Sequence, residues 1–434
     1  MSDVARIPSH ANASDIQTPA EPSAVQRRRA IIATTIGNGL EWFDFTVYTA
    51  FAVILSTQFF PTGNPLSSLL LTVGVYGAAF IMRPLGAVVF GIYADKVGRK
   101  PALSLSVLMM AFGTALIGLA PPYRVAGWFG PSMLIFARLL QGFSAGGEMG
   151  SASAFLVEYA PPGQRAFYTS WIQSSIALNI VLGTLIGAIA TIVLTHDQLY
   201  AWGWRIPFLF GVVIGPVGFY IRNRIEESPR GPQQEARSAS PFVEVLRAFP
   251  MQTFASFALV ALWTTCTYVY MHYMPTYVVT ELHQPQKLAF LSVTIGGSVF
   301  MVLSPVVGRL SDRWGHRRFL MGSAAVIFVT AYPMFSYILH TPTLAALTAF
   351  SVLAGIFSAC YTGPLLAALA ELFPSRVLST GISVSYNLSV TVFGGFAAFF
   401  ITLMISVTHS SLSPAFYMML AAALSFIGSF AVKT

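Results

Sequence analysis

The chain has 434 residues, of which 55% are hydrophobic and only 9% are charged. A typical soluble domain has about 25% charged residues, so this composition excludes an ordinary soluble domain and indicates a polytopic, all-α membrane protein. The net charge of +8 does not indicate nucleic-acid binding, because Lys and Arg lie in short segments beside long apolar runs, as they do in cytoplasmic loops.

Residues 1–29 are polar and end in three arginines, which predicts a disordered cytoplasmic tail. Twelve apolar runs follow, each long enough to cross a bilayer. They lie at 30–57, 67–92, 101–120, 131–158, 167–194, 204–222, 251–279, 287–308, 319–339, 343–371, 377–406 and 413–431. Lys and Arg concentrate in every second link, so both termini are predicted to be cytoplasmic. The hydrophilic stretch 223–250 is predicted to be a cytoplasmic linker between two six-helix bundles, 30–222 and 251–434.

The first run carries two acids, Glu41 and Asp44, three residues apart and therefore on one helix face. Carboxylates inside a membrane cost several kcal/mol if they are ionised and unpaired. Both are therefore predicted proton carriers, and Asn38 in the same run is a predicted substrate ligand.

Arg83 lies inside the second run and has two alternative interpretations. It either binds an anionic substrate, or it reaches toward the cytoplasmic surface or the helix carbonyls near Pro84. We retain Arg83 as a candidate substrate ligand.

The fourth run has a polar face and a face of small residues. At 100° per residue, Arg138, Gln141 and Glu148 fall within about an 80° arc. Arg138 is a predicted substrate ligand that could hold an acid of the first run ionised, and Glu148 is a third proton-coupling candidate; a permanent salt bridge is the alternative. The small residues, which predict close packing against a neighbouring helix, are Gly142, Gly146 and Gly150.

Other polar residues in the apolar runs are mostly uncharged. Gln173 in the fifth run, Tyr268 in the seventh and Tyr361 in the tenth are predicted to grip a polar substrate. A tyrosine stripe also occurs in bundle cores, which remains the alternative. His272, near Tyr268, could titrate near neutral pH or be fixed by hydrogen bonds. The free cysteines Cys266 and Cys360 lie in apolar runs, and neither a metal site nor a cofactor is predicted.

One stretch occurs twice, as GIYADKVGRK at 91–100 and GRLSDRWGHR at 308–317. The repeat predicts a tight, charged turn between two helices in each half of a duplicated protein. Glu158 and Glu371, which also correspond between the halves, are predicted to pair with these basic turns. The predicted gate residues are Asp95, Arg99, Asp312, Arg317, Glu158 and Glu371.

The repeated stretch resembles the signature loop of the major facilitator superfamily, and R-x-x-Q-G from Arg138 resembles its fourth-helix motif. The resemblance implies two six-helix bundles with a substrate site between them near the membrane midplane. It also implies that Arg138 takes part in proton coupling.

The runs GNGLEWFDFTVY (37–48), RLLQGFSAGGEMG (138–150) and WGWRIPF (202–208) are similar to the metabolite:proton symporter family. Its members import citrate, tricarballylate, 2-oxoglutarate, shikimate, or proline and betaine. The second half looks most like the citrate and tricarballylate carriers, whereas Trp42 and Tyr48 resemble the osmolyte and shikimate members.

The function predicted is therefore proton-coupled import of a small organic acid across a bacterial inner membrane by a monomer. An osmolyte or shikimate importer is the alternative. A channel, a sensor that does not transport and a membrane enzyme are less favoured, because no nucleophile motif, metal cluster or large soluble domain is visible.

Overall fold

The computed structural model describes residues 31, 42–97, 99–146, 156–157, 159–212, 241–374 and 377–432, and the regular elements within these ranges are helical. We call residues 42–212 the first half and residues 241–432 the second half. The predicted tail and the first part of the predicted linker, 223–240, lie outside the described residues. The rest of the predicted linker is described: Pro241–Ala248 is helical, and the next helix begins at Pro250.

The first half contains a succession of helices joined by short turns. They are residues 42–50 (α1), Ala52–Phe59 (α2), Pro65–Val97 (α3), Arg99–Leu119 (α4), Tyr123–Ala126 (α5), Phe129–Ser144 (α6), Arg165–Val193 (α7), His196–Gln198 (α8) and residues 205–212 (α9), with a π-helical turn at Leu199–Gly203.

The second half contains longer helices, two of which are interrupted by π-helical segments at Tyr268–Tyr273 and Val390–Gly395. The helices are Pro241–Ala248 (α10), Pro250–Thr267 (α11), Met274–Thr280 (α12), Gln286–Trp314 (α13), His316–His340 (α14), Leu344–Leu372 (α15), Leu378–Ser389 (α16), Ala397–Thr408 (α17) and Ser413–Gly428 (α18), followed by a 3₁₀ turn at Ser429–Ala431.

Eight helical stretches within the described residues are long and apolar enough to cross a membrane. They correspond to eight of the twelve predicted runs. The other four runs are shorter or only partly described: 30–57, 101–120, 131–158 and 204–222. The number of twelve therefore remains a prediction.

The repeated stretch is more helical than predicted. Residues 91–97 continue α3, and residues 308–314 continue α13, so the second copy turns at Gly315 alone. Gly315 has φ 91°, which a side chain would strain, and it ends α13 and begins α14. The prediction of a turn was correct in place but too long, because the charged residues belong to helix ends.

The small residues of α6 permit the close helix contact that was predicted. A Cβ atom on Gly142 would lie 1.8 Å from the carbonyl oxygen of Ala79 in α3, and one on Gly146 would lie 2.1 Å from that of Arg83. The backbones of α3 and α6 therefore touch, and this contact fixes the height of Arg83 beside α6. Gly150 lies outside the described residues.

The two halves touch at both ends of the molecule. We call the end with the Gly315 turn the loop end and the opposite end the far end. At the loop end, the carboxylate of Asp312 accepts from the backbone N–H groups of Ala166 and Phe167, each at 2.9 Å. At the far end, the hydroxyls of Thr184 and Thr294 lie 2.8 Å apart, and Gln286 donates to the Ala50 carbonyl at 2.8 Å. The described residues of the two halves are therefore in contact at both ends, as in an occluded conformation.

Candidate functional site

A small cavity lies between the halves. Its volume is about 10 Å³, enough for about one water molecule, so this conformation leaves no room in the cavity for an organic acid. The wall is rich in hydroxyl and aromatic groups and is made by Tyr48, Thr49, Ala52, Val73 and Tyr76 of the first half and Tyr268, His272, Tyr273, Thr276, Gly394 and Ala398 of the second.

Arg138 of α6 is fully buried behind two tyrosines of this wall. The carbon of its guanidinium lies 3.8 Å from the ring centre of Tyr48 and 5.2 Å from that of Tyr76. Nη1 donates to the Gln141 side-chain oxygen at 2.7 Å, whereas Nε and Nη2 have no hydrogen-bond partner among the described residues. The positive charge therefore acts on the cavity through aromatic rings, with two donors left over.

Asp44 of α1 is 4% exposed and faces away from the cavity, toward α4. Its carboxylate accepts hydrogen bonds from the Thr114 hydroxyl and, at 3.4 Å, from the Gln141 amide. The same amide donates to Thr114 at 3.0 Å. Gln141 lies between Asp44 and Arg138, so the alternative of a permanent salt bridge between these two residues is absent from this conformation. The role of Arg138 in proton coupling stays a prediction.

Arg83 of α3 is 2% exposed, so it does not reach the cytoplasmic surface in this conformation. The other part of that alternative, a contact with a helix carbonyl, is present at Ala145, at the end of the neighbouring α6. Its guanidinium carbon lies 5.0 Å from the ring of Trp42, 5.4 Å from that of Phe80 and 5.7 Å from that of Tyr386 in the second half. Nη2 donates to the Ala145 carbonyl at 3.2 Å, and Nε and Nη1 have no partner in the described parts of the chain. Arg83 is thus a second buried cation at the boundary of the halves.

Gln173 of α7 also lies between the halves. Its side-chain oxygen accepts from the indole of Trp263 in α11 at 2.9 Å, and its amide nitrogen has no described partner. Trp263 in turn contacts Tyr386, with ring centres 5.1 Å apart. The aromatic pair therefore lies between Gln173 and Arg83.

Tyr268 lines the cavity as predicted, in the π-helical segment after α11. Its ring stacks on His272 at 5.1 Å and meets Phe80 of the first half at 5.7 Å. A Cβ on Gly394 would lie 2.8 Å from this ring, so only glycine allows the approach. Both π-helical segments thus border the cavity, as single π turns at functional sites often do.

Tyr361 does not reach the cavity. It is fully buried inside the second half, where its hydroxyl donates to the Leu259 carbonyl at 2.8 Å. The prediction that it binds substrate is wrong for this arrangement, because its only polar atom is engaged in joining α15 to α11.

Asp312 joins the halves at the loop end. Its two carboxylate oxygens accept the backbone N–H groups of Ala166 and Phe167, each at 2.9 Å. These groups belong to the first turn of α7, which lacks partners within its own helix, and the helix dipole favours the negative charge. The Asp of the second copy of the repeat therefore binds the N-terminus of a helix in the other half.

The other predicted gate residues lie within the second half or are not described. Glu371 lies 3.6 Å from His316 of the repeated stretch, and Arg317 lies over the Phe430 ring at 5.5 Å. Asp95 lies in the last turn of α3 and Arg99 begins α4, but their side chains are not described. The candidates outside the described residues are Asn38, Glu41, Glu148 and Glu158.

Sequence reasoning did not identify Thr114, Tyr76, Trp263 and Tyr386 as members of the site. Tyr76 precedes Arg83 by seven residues and Phe80 precedes it by three, so helical periodicity could have placed both rings on the face of the arginine. The partners of Asp44 and Gln173 come from distant helices, and no local signal indicates them.

The sequence model of the Major Facilitator Superfamily matches residues 34–398 of the chain. The chain belongs to the major facilitator superfamily. The citrate-proton symporter of Salmonella typhi is 36% identical over 395 residues, which cover 91% of this chain and 91% of that protein. A putative proline/betaine transporter of Staphylococcus aureus is 32% identical over 412 residues, which cover 93% and 87%.

Among solved structures, that of the D-xylose-proton symporter matches with a TM-score of 0.73 and 18% identity, over 93% of this chain and 97% of that one. This likeness shows that the described chain has the major facilitator fold. With its apolar helices, this member of the major facilitator superfamily is a multi-pass membrane protein, similar to symporters rather than to enzymes.

Proposed function

We propose that this major facilitator protein imports a small organic acid, of the citrate or tricarballylate class or a dicarboxylate, together with protons. The observation that carries the proposal is the pair of buried guanidiniums, Arg138 and Arg83, beside the boundary of the halves. Their unpartnered N–H groups are donors, and a carboxylate is the acceptor that matches arginine best. The similarity to a citrate-proton symporter supports the same substrate class.

In this proposal Arg138, Arg83, Gln173 and Tyr268 contact the substrate as it passes between the halves. Gln173 and the two arginines offer free donors to carboxylates, and Tyr268 forms part of the cavity wall. Asn38, outside the described residues, remains a candidate ligand from the sequence.

Asp44 is the proton carrier that the structure favours, because it is buried beside neutral donors and linked to Arg138 through Gln141. A proton on Asp44 changes how Gln141 is oriented, and hence what Arg138 offers the substrate. Import of a divalent anion against a ~100 mV inside-negative potential costs about 4.6 kcal/mol, and cotransport of more protons than substrate charges reverses the sign of this cost. Glu41 and Glu148 remain further candidates.

Transport follows alternating access, in which the halves rock about the site. The closed contacts at both ends suit an intermediate between the open states. The loop end is then cytoplasmic, with Asp95, Arg99, Asp312, Arg317, Glu158 and Glu371 at its gate, in a twelve-helix monomer of a bacterial inner membrane.

The test is uptake of labelled citrate, a dicarboxylate and betaine into proteoliposomes with an acid-outside gradient. Citrate or the dicarboxylate should accumulate, and a protonophore should abolish the accumulation. The variant Asp44→Asn should fail to concentrate either acid. Accumulation of an organic acid that the protonophore leaves intact would contradict the proposal.

Import of an osmolyte such as betaine is the second candidate. Four tyrosines line the cavity, and aromatic rings bind quaternary ammonium groups. Accumulation of betaine alone in the same assay would favour this candidate over the organic acid.

A further inference from the structure

His272 is a titratable side chain in the wall of the occluded cavity. It lies in the π-helical segment Tyr268–Tyr273 and is 3% exposed. The organic-acid mechanism described above does not use it, and its ring makes a contact with each half of the molecule.

The hydrogen bonds of the ring fix which nitrogen is free. Nδ1 lies 3.0 Å from the Thr267 carbonyl oxygen, which can only accept, so Nδ1 carries a hydrogen. In the neutral ring Nε2 therefore has the lone pair. Nε2 lies 3.1 Å from the Thr46 hydroxyl of α1, so the site that takes up a proton is the one at the boundary of the halves.

Thr46 suits both protonation states of this nitrogen. Its hydroxyl can donate to a neutral Nε2, or it can accept from a protonated Nε2 while it donates to the Trp42 carbonyl, 3.3 Å away. In a symport cycle the far end is closed twice. It closes with substrate and protons bound during import, and it is closed again without them when the empty transporter returns. A partner that only donates or only accepts would favour one of these two closures.

The surroundings of His272 contain no described carboxylate in the cavity wall. Titratable groups that face it are Tyr268, stacked on the ring, and Tyr48, Tyr76 and Tyr273 of the same wall. The helices α13, α15 and α17 contribute no titratable side chain to this wall. The nearest charges in the network are Arg138, behind Tyr48 and Tyr76, and Arg83, beyond Phe80, whereas Asp44 faces α4.

We propose that His272 carries a proton on Nε2 together with the substrate and donates it as a hydrogen bond to a substrate carboxylate. The proton comes from water on the far side when that side is open, and it returns to water at the loop end after the substrate leaves; no other bond forms or breaks. This inference rests on the proposed import of an organic acid. It adds a carrier in the second half to the carboxylate Asp44 in the first.

The test compares steady-state accumulation ratios of labelled citrate in proteoliposomes, with the membrane potential clamped at zero by K⁺ and valinomycin. Under this clamp each cotransported proton multiplies the ratio by about tenfold per pH unit of gradient. His272→Gln keeps a hydrogen-bonding group beside Thr46 but cannot carry the proton. Its accumulation ratio should fall about tenfold at a gradient of one pH unit, while citrate exchange without a gradient continues at a reduced rate.

Two further variants separate the proton from the contact. His340→Gln changes an exposed histidine at the end of α14 and should accumulate citrate like the wild type. Thr46→Val removes the partner but keeps the imidazole, so uptake should slow while the final ratio stays at the wild-type value. Equal losses of ratio in Thr46→Val and His272→Gln would overturn the proposal, because the contact alone would then explain both.

An unchanged ratio in His272→Gln would also overturn it, as would a folded variant that exchanges no citrate at any pH. Folding is judged by a single size-exclusion peak, and His272→Asn replaces His272→Gln if that peak is lost. If the wild type does not concentrate citrate, the proposed substrate is wrong, and the His272 test uses the substrate that is concentrated.

Discussion

Arg83 and Arg138 are each surrounded by aromatic rings rather than by acids. A desolvated cation–π contact contributes about 2 kcal/mol. Placing an arginine at the centre of a membrane helix costs about 2.5–3.5 kcal/mol in insertion experiments. Each guanidinium uses one nitrogen in a hydrogen bond and leaves two without a described partner. The rings keep the cations in place, and the remaining donors are available to an anion.

Replacing Arg83 by Gln should weaken citrate transport through binding. Hydrogen bonds to a charged group contribute about 1.5–3 kcal/mol, so KM for citrate should rise roughly 10–100-fold. The measurement is the citrate dependence of initial uptake rates at a fixed pH gradient.

Arg205→Gln is the matched control, because Arg205 also stacks on an aromatic ring, that of Trp204 at 4.2 Å, but lies away from the cavity. Its KM should equal that of the wild type. A KM for Arg83→Gln within about twofold of the wild type would remove Arg83 from the substrate path.

At the residue scale, the sequence indicated the charged members of the site and missed their partners. Asp44, Arg83 and Arg138 were recognisable because charges are rare in apolar runs. Two features depend on how distant helices pack. They are the position of Gln141 between two charges and the burial of Tyr361 inside the second half, away from the cavity. One sequence contains no local signal for either arrangement.

At the scale of elements, the contact of α3 with α6 positions both arginines. Gly142→Ala should destabilise the protein, because the added Cβ would lie 1.8 Å from the Ala79 carbonyl oxygen and would push the helices apart. Overpacking of this kind costs about 1–3 kcal/mol. Thermal unfolding in detergent should show a lower Tm. The increase in Tm on adding citrate should also be smaller than in the wild type.

Gly322→Ala provides the comparison within the same chain. A Cβ at Gly322 would meet nothing within 4 Å, and alanine is the better helix former by about 1 kcal/mol. Its Tm should therefore be equal to or above that of the wild type. A Gly142→Ala protein with wild-type Tm would mean that α3 and α6 do not touch in the membrane.

The helices themselves were largely predictable, but their irregularities were not. Hydropathy placed the runs within several residues, and the glycine stripe of α6 indicated a close contact correctly. The π-helical segments at Tyr268–Tyr273 and Val390–Gly395 continue apolar runs that hydropathy assigns to ordinary helices. Residues of both segments line the cavity, and hydropathy contains no signal for this local geometry.

For the whole molecule, we expect that a disulfide across the closed far end would prevent that end from opening. The hydroxyls of Thr184 and Thr294 lie 2.8 Å apart across the halves, so cysteines at both positions are close enough for a disulfide. Oxidation of the double variant, with Cys266 and Cys360 replaced by alanine, should abolish uptake, and a reducing agent should restore it. The reason is that the far end cannot open to admit substrate.

Each single cysteine variant should transport equally well before and after oxidation. Full uptake by the oxidised double variant, with the cross-link confirmed by mass spectrometry, would contradict alternating access through the far end.

The major facilitator fold was the most predictable property of the molecule, since two copies of its signature stretch at half-chain spacing are visible without a structure. The conformation was not predictable. A sequence is the same in every state of the transport cycle, and only the contacts at both ends identify this one as occluded.

The surroundings of the two arginines also have a consequence for how the protein is made. An arginine at the centre of a helix costs about 2.5–3.5 kcal/mol during insertion by the translocon, and its partners reduce that cost only once they are in the bilayer. The rings around Arg138 belong to α1 and α3, which leave the ribosome before α6 does. Tyr386, which completes the surroundings of Arg83, lies in α16 and arrives only near the end of synthesis. Almost the entire chain must therefore be synthesised before Arg83 has all its aromatic neighbours. This set of rings is complete only when both halves have been inserted and packed together.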